Sequence, residues 1–228
     1  MYVAGFFAHH NLGGNINFGS TTLNTFGGSD IFLAKYDQNG AFQWARHAGS
    51  NSTGSLGGEA AQGLHVGPDN NPVMTGWFTG TANFEGVSLT SQGDREIYIA
   101  KYSDTGALLW VNRAGGTGPD IGNDVSSDAN GNLYVTGRMF STSDFDTVSL
   151  TSLGGHDVFV AKYDSNGQLE WVRQAGGMDT VNYADGSFGI STNEAGDSYV
   201  TGTFTQTAYF GADSLVSLGD NDIFLAKY

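Results

Sequence analysis

Acidic residues stand at two recurring places in this chain: Asp30, Glu96, Asp157 and Asp222 at one, and Glu59, Asp120 and Asp185 at the other. Carboxylates gathered in a ring can do two kinds of chemistry. Hard cations such as Ca2+ prefer several oxygen ligands, and two carboxyls roughly 5 to 9 Å apart can cleave a glycoside. The same groups can instead accept backbone N–H bonds and hold loops in place. Their recurrence in every copy of the pattern favours this simpler role.

The aromatic and basic candidates divide in the same way. Trp44, Trp110 and Trp171 occupy one column and read as core aromatics, although an indole is also a natural sugar platform. Trp77 stands apart: its counterparts are Phe6, Arg138 and Thr203, so the framework does not demand an indole there. Such divergent positions suit recognition better than uniform ones, which makes Trp77, Arg138 and Phe6 binding candidates. His9 and His10 join them in an expanded loop. Adjacent residues of an extended chain point to opposite sides, which is poor geometry for a metal, and no metal site is expected. The Asp-X-Asn-Gly segments lack the ligand spacing of a calcium loop and read as turns. There is no Gly-X-Ser-X-Gly, no His-Glu-X-X-His and no phosphate-binding glycine loop. The expectation is therefore a chain without catalytic residues or a resident cofactor, with Ca2+ on the acidic columns as the one ion to consider.

Those columns exist because the chain repeats. Ala-Lys-Tyr recurs with its lysines at 35, 101, 162 and 227, a period of about sixty-odd residues, longer than an ordinary propeller blade and wide enough for four strands and one extended connection. Each unit reads as strand A around Leu64-His65-Val66, strand B at YVAG, VMTG, YVTG and YVTG, strand C at the Phe-X-Ala-Lys-Tyr segment, and strand D around the tryptophan. DQNG, SDTG and DSNG between C and D, and PDNN, DANGN and NEAGD between A and B, are tight-turn signals. The predicted fold is an all-β propeller of four-stranded antiparallel blades. Its units fall at approximately 1–49, 50–115, 116–176 and 177–228, the first without strand A and the last without strand D. The ring is unfinished on this count, and a longer chain or another copy is expected to supply further blades. The distance from Phe18, Phe84, Phe145 and Phe210 to the acid that enters strand C (Asp30, Glu96, Asp157 and Asp222) is constant, whereas the D-to-A segments and the start of the B-to-C segment vary in length. Both connections fall at one end of an up-and-down blade, so one face is expected to vary and to bind.

Composition bounds the partners. With 23 acidic against nine basic residues the net charge is −14, which argues against nucleic acid and anionic membrane surfaces. No cysteine is present, so thiolate metal sites, disulfides and thiol redox chemistry are excluded. No run approaches the length of a membrane-spanning helix, and the first residues, MYVAGFFAHHNLGG, lack the pattern of an export signal.

The stretch DVFVAKYDSNGQLEWVRQAGG, followed by an acid leading into strand A and then by GNLYVTG, resembles the SBBP family of bacterial β-propeller repeats, and the resemblance runs along essentially the whole chain. It implies a secreted or cell-surface bacterial module. PVMTG at 72–76 departs from the usual pattern. The function expected is non-enzymatic binding of a protein or glycan, or surface assembly. A structural spacer, or a carbohydrate-active enzyme using one of the acids, would be the alternatives.

Overall fold

The computed structural model describes residues 1–8, 14–51, 58–178 and 185–228, and these contain β-strands and turns without a helix. Strands β1 (Tyr2–Phe7), β4 (Asp30–Tyr36) and β5 (Phe42–Ser50) form a first antiparallel set. The second comprises β6 (Ala60–Val66), β7 (Pro72–Phe78), β10 (Glu96–Tyr102) and β11 (Leu108–Gly116). The third comprises β12 (Ile121–Ser127), β13 (Leu133–Phe145), β14 (Val148–Tyr163) and β15 (Leu169–Gly177). The last comprises β16 (Gly186–Thr192), β17 (Ser198–Phe204) and β20 (Asp222–Lys227). In every set, predicted strands B and C pair directly.

The segment between B and C is more ordered than the sequence reading allowed. Rather than an extended connection it is a hairpin: β2 (Asn15–Phe18) with β3 (Thr21–Asn24), β8 (Thr81–Phe84) with β9 (Val87–Thr90), the outer arms of β13 and β14, and β18 (Thr207–Phe210) with β19 (Asp213–Val216). At the tip of β8–β9, Glu85 and Gly86 both have positive φ (49° and 95°), the conformation that a tight hairpin turn requires. Three of these hairpins reach across to the preceding set: Ala48 pairs with Phe84, Gly115 with Asp144, and Ala175 with Phe210. Each hairpin thus straps its own set to the strand D before it. This explains the constant distance from the phenylalanine to the acid, because a strap of fixed length must land on a fixed register.

Apolar cores fill the seams between successive sets. Ile31 and Leu33 pack with Met74, Phe78 and Tyr98 in the first seam; Ile97 and Ile99 with Val135 and Phe159 in the second; and Val158 and Val160 with Val200 and Phe204 in the third. Burying each such side chain is worth about 1.5–3 kcal/mol, and alternate residues of strands B and C face opposite seams, so β4, β7, β10, β13 and β14 each serve two cores. The A-type strands are cross-linked as well. Ile190 N–H donates to Asp124 Oδ2 at 2.9 Å, Asn123 Nδ2 to Ser187 O at 2.7 Å, and His65 Nε2 lies 2.9 Å from Ser127 Oγ.

The turns follow their sequence signals. Asp37 Oδ1 accepts from the N–H groups of Asn39 and Ala41, and Asp164 and Asp128 hold their own turns in the same way. The tryptophan column lies at this end of the sets. Trp44 Nε1 donates to Asp104 O at 3.1 Å and Trp110 Nε1 to Ser165 O at 3.3 Å, so these two indoles are clamped under the C–D turn of the next set.

Candidate functional site

The acidic columns lie at the opposite end, beneath the B–C and D–A connections, and not on the surface as an open rim. Asp30, Glu59, Glu96, Asp120 and Asp157 are wholly inaccessible, Asp185 is 1% exposed, and Asp222 is half-buried. Each carboxylate is held by the chain around it. The strand C acids accept the backbone N–H four residues earlier: Phe26 to Asp30 at 2.9 Å, Gln92 to Glu96, Leu153 to Asp157 at 3.1 Å, and Leu218 to Asp222 at 2.7 Å. The strand A acids grip the incoming D–A connection and the strap together. Asp120 accepts Gly116 N–H (2.8 Å), Phe140 N–H (2.9 Å) and Ser143 Oγ–H (2.8 Å); Asp185 accepts Gly177 N–H (2.9 Å) and Thr205 N–H (3.0 Å). Glu59 accepts Ser50 Oγ–H at 2.6 Å. These are the loop-holding bonds that a recurrent carboxylate supplies, and buried acceptors of this kind are costly to remove.

The two columns meet in pairs across the seams. A Cβ on Gly115 would stand 2.8 Å from Asp120 Oδ2 and 3.1 Å from Glu96 Cγ, which places both side chains against the same backbone. Gly115 adopts φ +133°, so the glycine is required for conformation as well as for space. Gly49 and Gly176 back directly onto Asp30 and Asp157. The cationic help changes from seam to seam. His47 Nε2 lies 2.7 Å from Asp30 Oδ2, Arg113 Nη1 is 2.7 Å from Glu96 Oε2, and neutral Gln174 Nε2 donates to Asp157 at 2.6 Å.

Burial raises the Glu59 carboxyl to about 8, with the Asp30 charge adding to the rise and the Ser50 hydroxyl opposing it. Burial likewise raises Asp120 to about 6, against the hydrogen bonds it accepts and with the Glu96 charge. Asp30 Oδ1 and Glu59 Oε2 are buried without a hydrogen-bond partner. The chemistry this arrangement supports is proton retention. Two carboxyls buried against each other do not both ionise cheaply.

The binding candidates separate. Trp77 is 9% exposed, packs with Ala60 and Ile121, and is covered by the Arg95 guanidinium 4.4 Å from its ring. It is therefore a seam residue and presents no open platform. Arg138 is half-buried beside His156, whose imidazole is pushed down to about 4 by burial and by the Arg138 charge, with the Pro119 backbone opposing. Phe6 is 57% exposed. His9 and His10 lie outside the described residues. Sequence reasoning passed over a set of exposed apolar side chains at the same end: Phe26, Leu153, Met178 and Leu218. Phe26, Leu153 and Leu218 form a column, for each donates its N–H to a strand C acid, while Gln92 takes that place in the second set. The signal was present in the spacing of four residues before each acid, but nothing in the sequence tells an exposed Leu from a buried one.

The strand C lysines are tied near the turn end. Lys35 pairs with Asp104, Lys101 with Asp69 at 2.8 Å, Lys162 with Glu170 at 2.8 Å, and Lys227 with Asp197 at 3.0 Å.

No protein-family model matches the chain, so the SBBP resemblance rests on the residues quoted for it. Two curated proteins are similar to it. An uncharacterized WD repeat-containing protein of Acanthamoeba polyphaga mimivirus is 27% identical over 220 residues, covering 87% of this chain and 15% of its own length. The regulatory protein FlaEY of Caulobacter vibrioides is 30% identical over 149 residues, 62% of this chain and 15% of its own length. This chain thus spans about 15% of the relatives it matches. With the all-β antiparallel architecture, the likeness to a WD-repeat protein identifies a β-propeller-like repeat fold, of a kind commonly used for protein interaction.

Proposed function

We propose that this chain is a non-enzymatic protein-interaction module, of a secreted or cell-surface bacterial type, that engages its partner through the face formed by the B–C and D–A connections. The observation that carries the reading is the exposed apolar set Phe6, Phe26, Leu153, Met178 and Leu218 at that end. Large apolar side chains left in water on a repeated scaffold favour a protein partner, whose interface core they would enter. The acids next to them are engaged in holding the loops, which supports a scaffold over a hydrolase. The SBBP resemblance supports the extracellular setting.

A photo-crosslinking amino acid placed at Phe26 or Leu153 in source cells tests the proposal, with Gln38 at the turn end as control. A discrete protein adduct is expected from the first two positions and not from Gln38, and Leu218→Asp should diminish it. Equal labelling from Gln38, or no adduct from either face position, overturns the reading. Binding of a purified cell-surface polysaccharide that is lost on Phe6→Ala would transfer the site to a glycan.

A further inference from the structure

The three seams repeat one arrangement with different side chains. In each, strand D receives the strap of the next set, and two positions stand out: the residue two places after the strand D tryptophan, and the residue after the strap phenylalanine, which forms the tip of the hairpin. These are Arg46 and Glu85 in the first seam, Asn112 and Asp146 in the second, and Arg173 and Gly211 in the third. The first seam has both cation and acid, the third the cation without a tip acid, and the second the acid without the cation.

The first two seams superimpose in their contacts. Arg46 Nε donates to Gly106 O at 2.7 Å and stands 4.0 Å from Glu85 Oε2. Asn112 Nδ2 makes the matching bond to Gly167 O at 2.6 Å. A Cβ on Gly106 would lie 3.0 Å from Arg46 Nη2 and 2.9 Å from Trp44 Cδ2, and one on Gly167 would lie 3.0 Å from Asn112 Nδ2 and 2.9 Å from Trp110 Cδ2. Asn112 thus reproduces the anchoring bond with a shorter, neutral side chain, and the positive charge that faces Glu85 has no counterpart beside Asp146.

A cavity of about 150 Å³ opens at this point of the second seam, lined by Asn112, Arg113, Asp146, Tyr163, Gly167 and Gln168. Arg113 is committed to Glu96. Tyr163 is 3% exposed, yet its hydroxyl makes no hydrogen bond among the described residues, where a buried hydroxyl normally finds one. Asp146, at the exposed tip, makes neither a hydrogen bond nor an ion pair among them. Burial and then the Asp146 charge push the Tyr163 hydroxyl up; at its counterpart Tyr102, burial and the Glu85 charge do the same and Arg46 opposes them.

We propose that this cavity binds a guanidinium group supplied from outside the chain, which donates to the Asp146 carboxylate, the Tyr163 hydroxyl oxygen and Asn112 Oδ1. A guanidinium presents its N–H groups in one plane and bonds a carboxylate through two of them, which a compact ammonium does not. A metal ion would meet one carboxylate here, and no cluster of three metal-ligating side chains exists among the described residues. The net charge of −14 draws cations towards the site. The cavity lies beside the C–D turn of the third set, away from the loop face, so the two proposals stand or fall independently.

The probe is methylguanidinium chloride titrated into the isotope-labelled chain and followed by two-dimensional amide NMR, with methylammonium chloride at the same ionic strength as control. Saturable shifts are expected at the Asn112 side-chain amide and the Gly167 and Thr147 backbone amides, with methylammonium binding more weakly. Asp146→Asn, which keeps a residue that tolerates the positive φ of 53° at the tip, should weaken binding by about tenfold or more. Asn112→Arg should leave a folded chain that no longer responds, because its own side chain fills the cavity. Arg46→Asn should open a second site, with new shifts at Gly106. An acetyl-Gly-Arg-Gly-amide peptide that binds at least as well as methylguanidinium identifies the source as an arginine side chain of a polypeptide, and its exclusion identifies a free guanidino solute. Absence of saturation, equal binding of methylammonium, or unchanged binding to Asp146→Asn overturns the proposal.

Discussion

Replacing Glu59 by glutamine should make the chain more stable in alkali and flatten its response to pH. The Glu59 carboxyl rises from 4.5 to about 8 on folding, through burial first and the Asp30 charge second. Between those values the folded chain holds a proton that the unfolded chain has released. Stability therefore falls as pH rises from 4.5 towards 8 and is level beyond. Each tenfold change in proton affinity is about 1.36 kcal/mol, so the full difference is about 5 kcal/mol. Asp120, raised from 3.8 to about 6, adds about 3 kcal/mol of the same sign at the lower end of the range. Glutamine keeps an oxygen to accept from Ser50 Oγ–H and places an N–H donor beside the buried oxygens of the seam, as the protonated acid does. Urea denaturation at a series of pH values from 5 to 9 is the assay. Wild type should lose midpoint steadily up to about pH 8; Glu59→Gln should vary far less above pH 6 and exceed wild type at pH 9. A wild-type midpoint independent of pH, or a Glu59→Gln variant as far below wild type at pH 9 as at pH 5, would refute the account of Glu59 as a carboxyl that keeps its proton on folding.

Three further outcomes follow from the geometry. Gly115→Ala, which would force a side chain into φ +133° and to within 2.8 Å of Asp120 Oδ2, should cost more than about 2 kcal/mol in the same denaturation assay. Lys101→Ala should cost about 1–2 kcal/mol, because the buried stem is lost together with the bonds to the exposed Asp69 and to the Ser165 carbonyl; Lys101→Met, which keeps the stem, should recover part of the loss. The His156 imidazole, pushed down to about 4, should remain neutral from pH 8 to pH 5 by NMR, and because the unfolded ring protonates first, its contribution to stability falls as pH drops below 6.5.

Much of the local structure is legible in the residues. Asp37, Asp128 and Asp164 announce the turns they cap, because an Asx turn is closed within a few residues of its own sequence. The Ala-Lys-Tyr register places strand C, and YVTG places strand B. The B–C hairpins were half visible, as a constant distance from phenylalanine to acid. Their role as straps was not, because the paired residues of strand D precede those of the strap by 27 to 36 positions and meet them only after the sets stack.

The sequence by itself determined the repeat, the strand order within a unit and the end at which the acids stand, since period, alternation and turn chemistry are local properties carried by neighbouring residues. Only the tertiary structure decided exposure. It buried Trp77 beneath Arg95 and withdrew Asp30, Glu59, Glu96, Asp120, Asp157 and Asp185 from solvent. The physical reason is that a seam has two walls. A side chain on strand C is core or surface according to whether another sheet lies against it, and no residue encodes the presence of its neighbour.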